Sequence, residues 1–365
     1  MVAGQPDPAF WRGRRVLLTG HTGFKGAWLA FWLQQLGARV SGLALPPPTQ
    51  PSLFEALGLA AGMDHQVVDL RDAQAVARRV QTVQPEIVLH LGAQALVRES
   101  YRDPVANWAS NLMGTVHLLD ALRGQKQVRA AVLITTDKVY RNHETSRAYR
   151  EGDELGGHDP YSASKAACEL AIASYRDAFL RGQGLPVASV RAGNVIGGGD
   201  WAADRLLPDA VRAWQAGQVL DIRRPGAVRP WQHVLEPLAA YLVLAERLCA
   251  DADLATAWNI GPPAQGCATV REVVDMARAH WGEAPVHYAQ GAEAQAGPHE
   301  AGLLTLDAGA AAQALGVVPR WPLAQAVQRT MGWYRAYSGG ASAPALCAAD
   351  IESWTHSGAA SGAPA

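Results

Sequence analysis

The chain has 365 residues, 49% hydrophobic and 18% charged, with a formal net charge of -1. That length buries a sizeable core in one large domain or two smaller ones. The balanced charge argues against a nucleic-acid partner, so any phosphate binding must come from local groups. Four scattered cysteines, Cys168, Cys249, Cys267 and Cys347, form no CxxC pair. This disfavours a disulfide framework or a metal site and fits a reducing, cytoplasmic setting. Residues 1–11 carry no basic start followed by an apolar run, so no signal peptide is expected. No apolar stretch of membrane-spanning length occurs either.

In chain order, Arg15–Thr19 reads as a short buried strand, with a helical stretch over 25–36. Further strands are expected at Arg39–Ala44, 66–69, 86–90 and 130–135, with a helix over 73–82. Short apolar runs separated by helices imply parallel strands with crossovers on both faces. The predicted fold is therefore α/β, a Rossmann-type doubly wound parallel sheet whose ligands sit at the carboxyl ends of the strands. Pro46-Pro47-Pro48 and Pro51 form a stiff loop after the second strand. Beyond Arg191 the rhythm weakens, and Gly197-Gly198-Gly199, Arg224-Pro225 and Arg229-Pro230 suggest a loop-rich region over the open end of the sheet. The expected division is a dinucleotide-binding domain at 10–190, completed by later segments, and a smaller C-terminal substrate-binding region at 191–338. The Ala, Ser, Gly and Pro content of 339–365 predicts a disordered tail. Twelve tryptophans suit either the core or stacking on a sugar, and their number does not decide.

Between the first strand and helix lies Gly20-His21-Thr22-Gly23-Phe24-Lys25-Gly26. Its glycines allow a tight turn and close backbone approach to a pyrophosphate. The helix N-terminus adds unpaired N–H groups and a positive dipole end. Asp69, after the third strand, is placed to accept from an adenine amino group or to cap a helix. The second strand ends in Leu43-Ala44-Leu45-Pro46, with neither the acid nor the arginine that would select between NAD and NADP.

Tyr161 and Lys165 lie four apart, on one face of a helix. An ammonium beside a phenol lowers its pKa and prepares it to take a proton from a hydroxyl as hydride leaves the same carbon. After the fifth strand comes Thr135-Thr136-Asp137-Lys138-Val139-Tyr140. Thr136 can bond the reacting hydroxyl, and Asp137 with Lys138 forms an acid–amine pair where the sheet opens.

Together these residues resemble the extended short-chain dehydrogenase/reductase family of nucleotide-sugar enzymes. The carriers are Thr19 to Gly26, His90-Leu91-Gly92-Ala93-Gln94 and Pro160-Tyr161-Ser162-Ala163-Ser164-Lys165. Finer details resemble its 4,6-dehydratases that take CDP-glucose. They are the lysine of the glycine loop, Pro46-Pro47-Pro48-Thr49, the 135–140 run, 156–160, 193–201 and 229–234. Members acting on dTDP-glucose typically carry Asp-Glu where Asp137-Lys138 stands. The resemblance implies bound NAD, held by Gly20, Thr22, Gly23, Phe24, Lys25, Gly26, Asp69, Leu70, Leu91 and Ala93, with Tyr161 and Lys165 at the nicotinamide. It implies catalysis by Thr136, Asp137, Lys138, Tyr161 and Lys165, and substrate contacts from Gln94, Asn194, Arg205 and Arg229. It also implies a homodimer formed by helices near 104–123 and 161–181, although their apolar stripes equally suit packing on the sheet. Other nucleotide sugars, a 4-epimerase or decarboxylase on the same scaffold, and a non-catalytic NAD-binding regulator stay open at this point.

Overall fold

The computed structural model describes residues 4–357 except 264–265, 283 and 292–300. Six strands arise in the first part of the chain. They are β1 (Arg15–Thr19), β2 (Arg39–Ala44), β3 (Asp64–Val67), β4 (Ile87–His90), β5 (Ala130–Ile134) and β6 (Val187–Ala192). A seventh, β7 (Ala257–Ile260), comes from the later region. The order is β7-β6-β5-β4-β1-β2-β3, and every pairing is parallel. The central strands β4, β5 and β6 are buried at every residue, as expected of strands covered on both faces. β3 is an edge, largely exposed and polar, and it begins three residues before the apolar pair Val67-Val68 that suggested it.

The covering helices include α1 (Phe24–Gln35), α2 (Ala73–Val83), α3 (Gly114–Ala121) and α4 (Pro160–Tyr175). α2 starts on Asp72, whose carboxylate accepts from Ala75 N, and α4 starts on Asp159, whose carboxylate accepts from Ser162 N. The stretch expected as one helix over 104–123 contains a π turn at Ala109–Met113 ahead of α3, and α4 likewise runs into a π turn at Arg176–Leu180.

The chain winds outward from β1 to β3 and then returns to β4 on the other side of β1. That reversal opens a crevice between the carboxyl ends of β1 and β4. Two glycines make it possible. Gly20 has φ +72, and a Cβ there would lie 2.7 Å from Gly92 N. A Cβ on Gly26 would lie 2.0 Å from Gly20 O, so the loop and α1 touch backbone to backbone.

The later region supplies α5 (Leu206–Gln215), α6 (Leu235–Leu248), α7 (Val270–Trp281) and α8 (Leu323–Ser338). α6 is buried over nearly its whole length beside β5 and β6, and β7 extends the same sheet. The later region thus builds part of the sheet layer as well as the loops above it. Short strand pairs, among them Leu220–Ile222 with Val286–Tyr288 and Val228–Arg229 with Ala268–Thr269, form outside the main sheet.

The expected disordered tail is corrected by the structure. Residues Ala343–Ser357 form helix α9, with Ala343, Cys347, Ile351 and Trp354 buried. The Trp354 ring meets Trp32 of α1 edge-on at 5.4 Å, and Arg320 stacks on it at 4.0 Å. Composition hid this helix because its apolar stripe is only four residues wide and lies among alanines. Residues 358–365 of that stretch lie outside the described ones. No helix among the described residues is long and apolar enough to cross a membrane.

Candidate active site

A cleft of about 1000 Å³ opens at the carboxyl end of the sheet. It gathers Lys25, Thr136, Asp137, Lys138, Tyr161, Asn194, Arg205 and Arg229 into one wall set, from six separate places along the chain. A volume of this size suits a ligand larger than a single sugar.

The chemistry centres on the turn after β5. Thr136 Oγ1 donates to Asp137 Oδ1 at 2.9 Å and stands beside the Tyr161 phenol, between the two groups. Asp137 is buried, and its Oδ2 has no hydrogen-bond partner among the described residues. Burial raises its pKa, against the opposing pull of Lys138, Thr136 and Arg229. That shift is in the direction a proton donor needs. Lys138 beside it is half-buried and faces the cleft.

Lys165 sits one turn after Tyr161 but is turned inward. Its Nζ donates to Ile134 O at 3.0 Å, and burial lowers its pKa. Tyr161 is pushed up to about 12, because burial outweighs the neighbouring Thr136 hydroxyl and the field of Arg205. The expected lowering of the phenol by Lys165 is thus absent in the protein alone, since desolvation is the larger effect. A cationic nicotinamide ring beside the phenol would oppose that burial.

The glycine loop fits a dinucleotide. Gly23 has no atom nearer to an added Cβ than Gly20 O at 3.5 Å, so its backbone faces open space at the N-terminus of α1. Thr22 Oγ1 is committed to Leu45 O at 2.9 Å, which ties the loop to the end of β2. Phe24 packs its ring end near Gly197, and Leu70 packs over Gly92 and Gly114. Leu91 and Ala93 are half-buried beside the same crevice. Asp69 is held by its neighbour Arg71 through paired hydrogen bonds at 2.9 and 2.6 Å, an exposed pairing within one turn.

Lys25 departs from the picture of a pure loop residue. It reaches the cleft, with its Nζ 5.9 Å from the Tyr241 ring. Burial, then Arg205 and Lys165, lower its pKa to about 7. Gln94 does not line the cleft. Its Nε2 donates to Leu96 O at 3.1 Å and its backbone N to Asn111 Oδ1 at 2.8 Å. Arg205 approaches Asp200 at 3.7 Å, while Arg229 donates to Val228 O at 2.8 Å and to Ala301 O.

Sequence reasoning missed several lining residues. Arg98, from the short helix Val97–Arg102 that follows β4, reaches Asp204 at 3.3 Å across the cleft, and Arg223 reaches the same carboxylate at 3.9 Å. Asp204 has φ 61, a left-handed conformation for a non-glycine residue. Only the unusual density of arginines around 223–229 signalled this wall. Tyr140 could have been found from its place directly after the 135–139 run.

Fold and site together define an NAD-dependent enzyme class. The sequence profile of the NAD dependent epimerase/dehydratase family matches residues 16–261, and the chain belongs to that family. It is 45% identical over 337 residues to the CDP-glucose 4,6-dehydratase of Salmonella typhimurium, covering 91% of this chain and 93% of that one. Among solved structures, the dTDP-glucose 4,6-dehydratase of Streptomyces venezuelae, crystallised with NAD, superposes with a TM-score of 0.74 at 25% identity. That match covers 89% of this chain and 98% of the other. The UDP-glucose 4-epimerase of Thermus thermophilus with NAD gives 0.74 at 26%, covering 88% and 99%.

Proposed function

We propose that this enzyme converts CDP-D-glucose to CDP-4-dehydro-6-deoxy-D-glucose and water. The observation that carries the reading is the cluster of Tyr161, Thr136 and Asp137 with Lys138 adjacent, all lining one cleft. An epimerase needs the phenol and the cofactor but no acid–amine pair suited to elimination. The 45% identity to a CDP-glucose 4,6-dehydratase supports the same substrate, and so does the lysine at 138.

The Gly20–Gly26 loop and the α1 N-terminus would hold the NAD diphosphate, with Asp69 and Leu70 toward the adenine and Lys165 at the nicotinamide ribose. Bound there, NAD would supply a hydride acceptor for carbon 4 and a hydride donor for carbon 6, with no net oxidation. Tyr161 takes the proton of the carbon 4 hydroxyl, and Thr136 bonds the same oxygen. The ketone at carbon 4 acidifies the carbon 5 proton, because the carbanion is delocalised as an enolate. Lys138 removes that proton, Asp137, whose pKa burial raises, protonates the departing carbon 6 hydroxyl, and carbon 5 regains a proton as carbon 6 receives hydride. Asn194, Arg205 and Arg229 line the part of the cleft suited to the nucleotide diphosphate, where guanidinium forks pair with phosphate oxygens.

The enzyme is further proposed to act as a homodimer in the cytoplasm. Val105, Trp108, Met113, Leu170 and Phe179 expose apolar side chains on the two helical stretches expected to pair, Val105 at 77% and Leu170 at 63%. A monomeric mass in solution contradicts the dimer. The deciding experiment incubates the purified protein with CDP-, dTDP- and UDP-glucose and weighs the products. CDP-glucose is expected to give the fastest loss of one water with a new ketone. A product of unchanged mass with inverted carbon 4 overturns the reading.

A further inference from the structure

Two groups of side chains divide the proposed reaction. Tyr161 on α4 serves the oxidation at carbon 4. Asp137 and Lys138, on the turn after β5, serve the elimination across carbons 5 and 6. Both groups must address one sugar ring, so the spacing between α4 and the turn matters.

A buried ion pair spans that gap. Glu169 Oε2 and Arg191 Nη2 lie 2.9 Å apart, with side chains 3% and 4% exposed. Glu169 follows Lys165 by one helical turn on α4. Its Oε1 accepts from Thr135 Oγ1, and its Oε2 also accepts from Ser189 Oγ at 2.7 Å. Arg191 Nη1 donates to Tyr140 Oη at 2.8 Å and to Glu151 O at 2.9 Å. Tyr140 in turn donates to Asn259 Oδ1 at 2.6 Å. The residues just before and just after the Thr136–Val139 turn are therefore tied to the same ion pair. Neither Glu169 nor Arg191 lines the cleft. Burying two charges is costly, and an apolar pair of equal volume commonly stabilises a fold as well or better. Stability alone does not account for ions at this place.

We propose that the Glu169–Arg191 pair, acting through Thr135 and Tyr140, is a positioning device that aims Asp137 and Lys138 at the carbon 5–carbon 6 bond. Loosening it slows elimination while leaving oxidation at carbon 4 intact. This rests on the proposed function and adds which residues keep its two half-reactions in register.

Tyr140→Phe is the sharpest test. It removes one oxygen and keeps the ring stacked on Tyr149 at 5.1 Å. Single turnovers of the NAD-loaded enzyme on CDP-glucose are quenched with borodeuteride and analysed by mass. Deuterium at carbon 4 without loss of water marks sugar that was oxidised but not dehydrated. The variant is expected to accumulate this species, with elimination slowed on the order of 10–100-fold, the cost of a misplacement of about 1 Å. Ser189→Ala, which removes one bond to Glu169 and keeps both charges paired, is expected to shift the partition the same way by less. Ile351→Val, on α9, serves as the control for lost stability and is expected to lower the melting temperature without accumulation. An unaltered partition in both Y140F and S189A overturns the inference. So does a parallel fall of oxidation and elimination that tracks the melting temperature. Wild-type protein that removes water from none of the three nucleotide glucoses strikes the proposed function and this inference together. A working wild-type dehydratase with unaltered variants strikes the inference alone.

Discussion

The first 190 residues and those that follow contribute to the protein in different ways. The early part places its functional atoms through backbone. Gly20, Gly23 and Gly26 bring main chain to a crevice, and Thr136 to Lys138 and Tyr161 emerge from the ends of β5 and the start of α4. The later part contributes apolar mass, through α6, β7 and α9, and long charged side chains such as Arg205, Arg223 and Arg229. The difference teaches where damage should fall. Substitutions early in the chain should cost chemistry or cofactor, and those late should cost stability or substrate preference.

The largest expected effect lies in the early part. Lys138→Ala should slow dehydration about 10²–10⁴-fold, with bound NAD unchanged. Deuterium from solvent should no longer enter carbon 5, as read by mass. Persisting exchange at carbon 5 would assign the base elsewhere.

On the late side, Trp354→Ala should cost about 3–5 kcal/mol, the usual range for emptying a buried tryptophan site. The measurement is a denaturant midpoint, with activity per folded molecule preserved. An unchanged midpoint would return α9 to the status of a loose tail.

Gly26→Ala is intermediate and breaks the comparison most directly. Its Cβ would meet Gly20 O at 2.0 Å. The overpacking should cost about 1–3 kcal/mol and lower the NAD retained after purification, measured by absorbance of the released nucleotide. Full NAD content would show that the loop can give way.

The smallest effect concerns pH and the late part. Glu236 accepts from Arg320 N at 3.1 Å and Trp321 N at 2.9 Å, yet burial pushes its pKa from 4.5 up to about 7. The folded chain keeps a proton that the unfolded chain releases between those values. This contribution is therefore full below about pH 4.5 and is lost as pH rises toward 7. Glu236→Gln should flatten that decline, by on the order of 1–3 kcal/mol over the window. Parallel melting curves for the two proteins across pH 4.5–7 would exclude Glu236 as the source.

Much of the early part was legible because its signals are local. An apolar run, a glycine triplet after it and a Tyr-x-x-x-Lys spacing each follow from a few consecutive bond geometries. The same locality explains the errors. The Tyr161–Lys165 spacing places both on one face, but it does not say that Lys165 turns to Ile134 O or that burial of the phenol outweighs a neighbouring charge. Lys25 was legible as part of the loop but not as a group reaching Tyr241 and the cleft.

By itself the sequence determined the parallel sheet, the phosphate-cradling loop and the residue types at the strand ends, since these depend on periodicity and on what glycine alone permits. Only the tertiary structure decided that Ala257–Ile260 completes the sheet, that α9 docks on Trp32, and that Glu169 and Arg191 clamp the Thr136–Val139 turn. The reason is physical. A buried ion pair or a docked helix is stabilised by groups far apart in the chain, and no short window of sequence carries the desolvation that makes those contacts count.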